Sequence, residues 1–213
     1  MSTTIAGVPI PDSQLAREAT DLVRDTETPL LYHHSRRVFL FGALTGKQRG
    51  LMFDPELLYV GAMFHDMGLV PPYSTATERF EVDSANAARD FLRRHGISDA
   101  SADLVWTAIA LHTTPNIPPL MKPEIALVTA GVEMDVLGLG FPVVSAEDRK
   151  LVVDAHPRGT QFKKDIVEAF YQGNKHKPDT TFGNVNADVL ALKDPHFHRT
   201  NFCDVIHDSA WPS

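Results

Sequence analysis

Four residues occupy positions where helices should be apolar: His34, the adjacent pair His65-Asp66, and Asp135. His34 lies one turn before Val38 and two turns before Phe41, so it shares their inward face. His65 and Asp66 close the apolar run "YVGAMFHDMG", after Val60, Met63 and Phe64. Asp135 follows Val128, Gly131 and Val132 within "GVEMDVLG". Burying an imidazole beside a carboxylate costs several kcal/mol unless a partner satisfies both. A divalent cation is such a partner, since it compensates the carboxylates and occupies the imidazole nitrogens. Mixed nitrogen and oxygen donors on facing helices of a bundle suit zinc, iron, manganese or cobalt. Neighbouring residues of a helix point about 100° apart, so His65 and Asp66 must meet one ion near a helix end. A lone buried histidine is usually a satisfied core residue. Four such residues on three apolar faces point instead to a metal.

The elements that must carry these residues are punctuated as helices. Asp12 can cap a helix over about 13–25. Thr28-Pro29 supplies a cap and a first-turn proline for the segment bearing His34, and Asp54-Pro55-Glu56 does the same for the segment bearing the dyad, with Gly68 available to end it. Asp83 opens "SANAARDFLRRH", closed by Gly96; Ser98-Asp99 opens a helix that stops before Pro115; Pro123-Glu124 begins the helix bearing Asp135. Shorter helices are expected at 145–155, 160–172 and 186–193. No comparable set of alternating β-branched runs appears, so the expected fold is all-α. The Pro-rich stretches 70–77 and 115–123 read as loops. After about residue 174 a loop-rich, then aromatic tail is expected to pack on the core, giving a single domain over 1–213.

The chain has 213 residues, 43% hydrophobic and 22% charged, which allows a sizeable buried core. Its net charge of -7 disfavours nucleic acid and anionic membrane as partners, both of which call for basic patches. A single cysteine, Cys203, excludes an intramolecular disulfide and a Cys-rich zinc site. The N-terminus lacks the pattern of a secretory signal, and no apolar run approaches the roughly 20 residues that span a bilayer. A cytoplasmic protein with a small-molecule substrate is expected. A homo-oligomer is left open, because the apolar tail can cover its own core or a neighbouring subunit.

Several polar residues fall near the four. Glu81, between Phe80 and Val82 in a loop before a helix, can act as acid or base, orient a ligand, or cap that helix. His112, near the end of a mostly apolar helix, can hold substrate, shuttle a proton, or simply pack. Thr113 and Asn116, in the adjoining "TTPNIPP", can line the same mouth. Arg36, Arg37 and Arg79 are candidate anion clamps, with surface salt bridges as the plainer alternative. His196 and His198 have metal-like spacing but no third ligand nearby. Trp106 is expected in the core and Trp211 as an anchor for the tail.

"HSRRV" at 34–38, "FHDMG" at 64–68 and "GVEMDVLG" at 131–138 resemble the H…HD…D signature of the HD-domain superfamily of metal-dependent enzymes, over about residues 28–140. "RFEVDSANAARDFLRRHG" at 79–96, "ALHT" at 110–113 and "NFCDVIHDSAW" at 201–211 resemble its cyanamide hydratase-like branch. The resemblance implies an HD helical bundle and one divalent metal ion per chain, zinc first, held by His34, His65, Asp66 and Asp135. It implies a hydratase adding metal-activated water to a small nitrile such as cyanamide, giving urea. In that scheme Asp66, Glu81 and His112 serve catalysis, and His112, Thr113, Asn116 and Arg79 meet the substrate. No "GYP" follows the dyad, which argues against the cyclic-dinucleotide phosphodiesterase branch. Only His95 and His112 lie between the dyad and Asp135, which favours one metal over two. The alternative is an HD phosphohydrolase acting on a nucleotide or small phosphate ester, which would need arginines facing the pocket. A non-catalytic metal-dependent binding module is the third class, and the complete ligand set counts against it.

Overall fold

A computed structural model describes residues 3–208. The fold is all-α: among the described residues, ten α-helices accompany one two-stranded antiparallel hairpin, β1 (Thr4–Ile5) and β2 (Val8–Pro9). The sequence pattern missed the hairpin because its strands are too short to show alternation. Local cap chemistry starts most of the helices that matter. In α1 (Gln14–Thr26) the cap is Ser13, one residue later than the expected Asp12, and its hydroxyl accepts from the Ala16 amide. Thr28 caps α2 (Pro29–Gln48) and Asp54 caps α3 (Pro55–Phe64), each followed by proline at the first helical position.

Helix α2 forms the spine. It packs along α3 and along α6 (Pro123–Val132), while α4 (Phe80–Arg94) packs along α5 (Asp99–Ala110). The middle of α2 is buried all round, from His34 through Ala43. It can approach α6 so closely because Gly131 faces it: a Cβ at Gly131 would lie 2.1 Å from the Val38 carbonyl oxygen. The two backbones touch one turn away from His34.

The C-terminal ends of two helices differ from the expected boundaries, and both differences shape the site. The dyad helix stops at Phe64, with His65 at its C-cap, and Asp66 leaves helical geometry at φ -106°, ψ 1° before a short 3-10 turn, Met67–Leu69. That bend turns two adjacent side chains toward one point, which a continuing helix would hold about 100° apart. Helix α6 gives way to a π-turn, Glu133–Leu137, ended by Gly138 in the left-handed region at φ 73°. Helix α4 begins at Phe80, ahead of the expected opening at Asp83, so Glu81 lies within its first turn and not in a loop before it, and Asp83 caps nothing.

The C-terminal part closes one side of the bundle through α8 (Phe162–Asn174) and α9 (Asn186–Lys193), reached after α7 (Ala146–Ala155). A buried ion pair pins it: Lys177 Nζ lies 2.7 Å from Asp83 Oδ2, and Asp83 also accepts from the Thr75 amide and hydroxyl at 2.9 and 2.8 Å. Removing one partner would strand a buried charge, so Lys177→Met is expected to cost about 3–5 kcal/mol, with much of the loss recovered when Asp83→Leu is added. Denaturant unfolding of the single and double variants reads this directly. The tail packs on the core only in part, because α10 (Phe202–His207) is exposed along its length. Trp211 lies outside the described residues, and Trp106 is half-buried with its indole N–H donated to Asn86. No helix among the described residues is long and apolar enough to cross a membrane.

Candidate metal centre

Helix α2 supplies His34 and the end of α3 supplies His65 and Asp66, all three fully buried. His34 Nε2 lies 3.2 Å from His65 Nε2, His65 Nε2 lies 3.3 Å from Asp66 Oδ2, and His34 Nε2 lies 3.7 Å from that same oxygen. Two atoms each about 2.1 Å from a common zinc, at a tetrahedral angle, sit about 3.4 Å apart. The triangle has the right size for one ion, and these three residues form the cluster able to hold a metal among the described residues.

The ring nitrogens are oriented for it. His65 Nδ1 is 2.8 Å from the Ala62 carbonyl, and His34 Nδ1 is 2.7 Å from Asp135 Oδ2. Each acceptor assigns the proton to Nδ1 and leaves the Nε2 lone pair facing the cluster. Both Asp66 oxygens are buried with no hydrogen-bond donor on them. Burial pushes the Asp66 carboxyl up, but the neighbouring imidazoles, His65 first and then His34 and His112, outweigh it and hold the group at about 2. Burial likewise works against charging His65, yet the Asp66 carboxylate raises it above its ordinary value. A divalent cation held here would compensate Asp66 and compete with protons for the His65 nitrogen, which is why such sites release protons on loading.

Asp135 lies behind His34 rather than beside the other three. It accepts from His34 Nδ1 and takes a two-pronged contact from Arg37, Nε to Oδ1 at 2.9 Å and Nη2 to Oδ2 at 2.8 Å, with Arg158 also on Oδ1. Of the candidate clamps, Arg37 is thus committed to Asp135. Arg36 is committed to Tyr59 and His156, and Arg79 reaches Glu81 at 3.4 Å.

A cavity of about 270 Å³ opens onto the cluster. His112, Thr113 and Asn186 are among its polar lining, Val167 and Phe170 of α8 among its apolar wall, and among the described residues no lysine or arginine lines it. His112 Nδ1 is 2.6 Å from the Ile109 carbonyl, so its Nε2 lone pair points inward, 3.9 Å from Asp66 Oδ1. Burial and the nearby His65 push His112 down to about 4, so it is neutral at pH 7. Glu81 is buried behind this wall and binds the Thr113 hydroxyl and, at 2.5 Å, the Asn184 amide. Asn116 is exposed, in the left-handed region at φ 64°, and does not reach the cavity. Sequence reading missed Asn184, Asn186 and Arg158. Asn184 and Arg158 lie 103 and 23 residues from the carboxylates they serve, and no local spacing marks them. It also missed Glu27, fully buried beside Ser35, whose carboxyl is raised well above the usual range by burial and the Asp66 charge.

A helical bundle that buries two histidines and an aspartate at metal-ligand distances defines a metal-binding α-helical protein. The family model for the HD domain matches residues 31–137, half of the chain, and this chain belongs to the HD domain family. Membership implies a metal-dependent enzyme, in a superfamily of hydrolase and phosphohydrolase type. A search of the curated proteins returns no match to the chain.

Proposed function

We propose that this HD-domain protein hydrates a small nitrile such as cyanamide, giving urea, with zinc as the favoured metal and iron, manganese or cobalt as the other candidates. The observation that carries the reading is the cavity. At about 270 Å³ it is smaller than the roughly 300–1,000 Å³ typical of drug-sized ligands, and it presents no cation to a phosphate. A divalent ion held by His34, His65 and Asp66 would supply Lewis acidity and a water that ionises near neutral pH.

The chain's own groups then divide the work. His112 Nε2 is free to accept a proton because Nδ1–H is committed to Ile109, so it would take the proton that the water loses as its oxygen bonds to the nitrile carbon. The same nitrogen returns the proton to the nitrile nitrogen, and the resulting isourea tautomerises to urea. Thr113 donates its hydroxyl to Glu81 and accepts from the Asn184 amide at 3.1 Å, which leaves its oxygen one lone pair for the substrate amino group. Asn186 donates its own amide to Asn184 and keeps its carbonyl oxygen as a second acceptor. Asp66 would be the anionic ligand, and Val167 and Phe170 of α8 give the cavity an apolar wall beside it.

Phosphohydrolysis of a nucleotide or small phosphate ester is the second reading, favoured by the family's general chemistry. It uses the same cluster but finds Arg37, Arg158 and Arg79 already engaged with carboxylates. Elemental analysis and urea production from cyanamide, run on one purified sample, separate the readings. About one metal per chain with rapid urea formation supports the hydratase. Metal without urea, but with phosphate release from an ester panel, supports the phosphohydrolase. A protein that takes up no metal even after reconstitution has neither activity.

A further inference from the structure

We propose that Asp135 is not a metal ligand but a positioning residue, which holds His34 by its Nδ1–H while Arg37 and Arg158 keep the carboxylate turned away from the ion. The proposal rests on the metal centre of the reading above and departs from the ligand set that the sequence resemblance implies. Its basis is a count of lone pairs. A carboxylate has about four acceptor sites, two on each oxygen. On Asp135, Oδ2 takes His34 Nδ1 at 2.7 Å and Arg37 Nη2 at 2.8 Å, and Oδ1 takes Arg37 Nε at 2.9 Å and Arg158 Nη1. All four are filled, three of them by guanidinium N–H groups. On Asp66, buried as deeply, none is filled. One carboxylate is free to coordinate and the other is not.

The clamp is itself held in place. Arg37 Nη1 donates to the carbonyls of His156 and Pro157, each at 3.0 Å, so its fork has little freedom to swing off Asp135. Arg158 Nη1 also reaches the Asp135 backbone carbonyl at 2.6 Å. Both guanidinium groups lie against the buried Phe162 ring, 4.9 and 3.9 Å from its centroid. For Asp135 to reach an ion it would have to break charge-assisted bonds to two arginines and leave one of them, Arg37, fully buried without its counter-charge. Breaking a buried pair is strongly unfavourable.

The consequence is chemical. A centre with three protein ligands and one anionic charge would leave its cavity side open for both water and substrate. It also carries a net positive charge that a second carboxylate would cancel, and so polarises a neutral substrate more strongly. His34, oriented through Nδ1 by a carboxylate, is a better donor at Nε2.

Cobalt(II) titration of the wild type, Asp135→Asn and Asp66→Asn tests this, read by visible absorption and by X-ray absorption of the bound metal. The asparagine at 135 can still accept from His34. The expected result is one cobalt site in Asp135→Asn with the wild-type band positions and first-shell scattering, bound about 10–100-fold more weakly, as outer-shell losses usually are. Asp66→Asn is expected to lose the site. Shifted bands and a lost carboxylate in Asp135→Asn would overturn the proposal. Failure of the wild type to bind cobalt would overturn the metal centre itself, a distinct outcome. Should Asp135→Asn not fold, anomalous diffraction from zinc-loaded wild type decides: an Asp135 oxygen at about 2.0–2.2 Å from the ion sinks the idea, and ligation by His34, His65 and Asp66 without it upholds the idea.

Discussion

Asp66→Ala is expected to remove metal binding and all activity while leaving the helical content largely intact. Asp66 is the anion of the cluster, and its buried oxygens have no other partner. The variant therefore loses the charge that draws the ion, whereas the helix caps and the apolar contacts of α3 do not depend on it. The effect can be separated from simple damage by linkage. A ligand that binds only the folded state stabilises it by about 2.7 kcal/mol at 100 times its Kd and about 4.1 kcal/mol at 1,000 times. Unfolding of the wild type in denaturant, with zinc and with a chelator, should show a difference of that order. In Asp66→Ala the two curves should coincide. A variant that remains metallated, or whose curves still separate, would mean that the cation sits elsewhere.

The second large effect is expected far from any chemistry. Gly131→Ala places a methyl 2.1 Å from the Val38 carbonyl oxygen, 2.9 Å from its carbon and 3.1 Å from its Cα. All three are backbone atoms of α2 and cannot rotate aside, so the helices must part. Overpacking costs about 1–3 kcal/mol in typical cores, and this site belongs at or beyond the upper end because no flexible side chain absorbs the clash. A lower denaturant midpoint at unchanged m-value is the expected signature. Metal affinity should fall as well, because Gly131 lies one turn before Asp135, which grips His34 across the same seam. A loss below about 1 kcal/mol would show that α2 and α6 have room to spare.

These two variants mark the boundary between what could be read along the chain and what could not. Thr28-Pro29 and Asp54-Pro55 announce their helices because capping is a local reaction between a side chain and amides two or three residues away. His34 and the His65-Asp66 pair were legible for a related reason. Helical periodicity places them on buried faces, and buried polar groups require a partner whatever the rest of the fold does. The all-α class follows from the same local signals, and the HD signature from the residues themselves.

The roles within the site were a different matter. Asp66 and Asp135 look alike in sequence, each following a run of apolar residues near the end of an apolar helix. The first has empty lone pairs and the second has full ones because Arg37 and Arg158 converge on Asp135 from α2 and from the loop after α7, 98 and 23 residues away. The bend after His65 and the π-turn at Glu133–Leu137 set which way these side chains point, and neither has a local sequence mark. Likewise Asn116 directly follows the lining residue Pro115 without joining the cavity, and Arg79 stays outside it too, while Asn186, from a helix in the C-terminal part, lines it. Residue type and helical phase are properties of a short stretch of chain, so the cluster's members could be named from sequence. Which hydrogen-bond sites remain free, and what volume the walls enclose, depend on segments brought together from across the chain, and those are properties of the packed molecule alone.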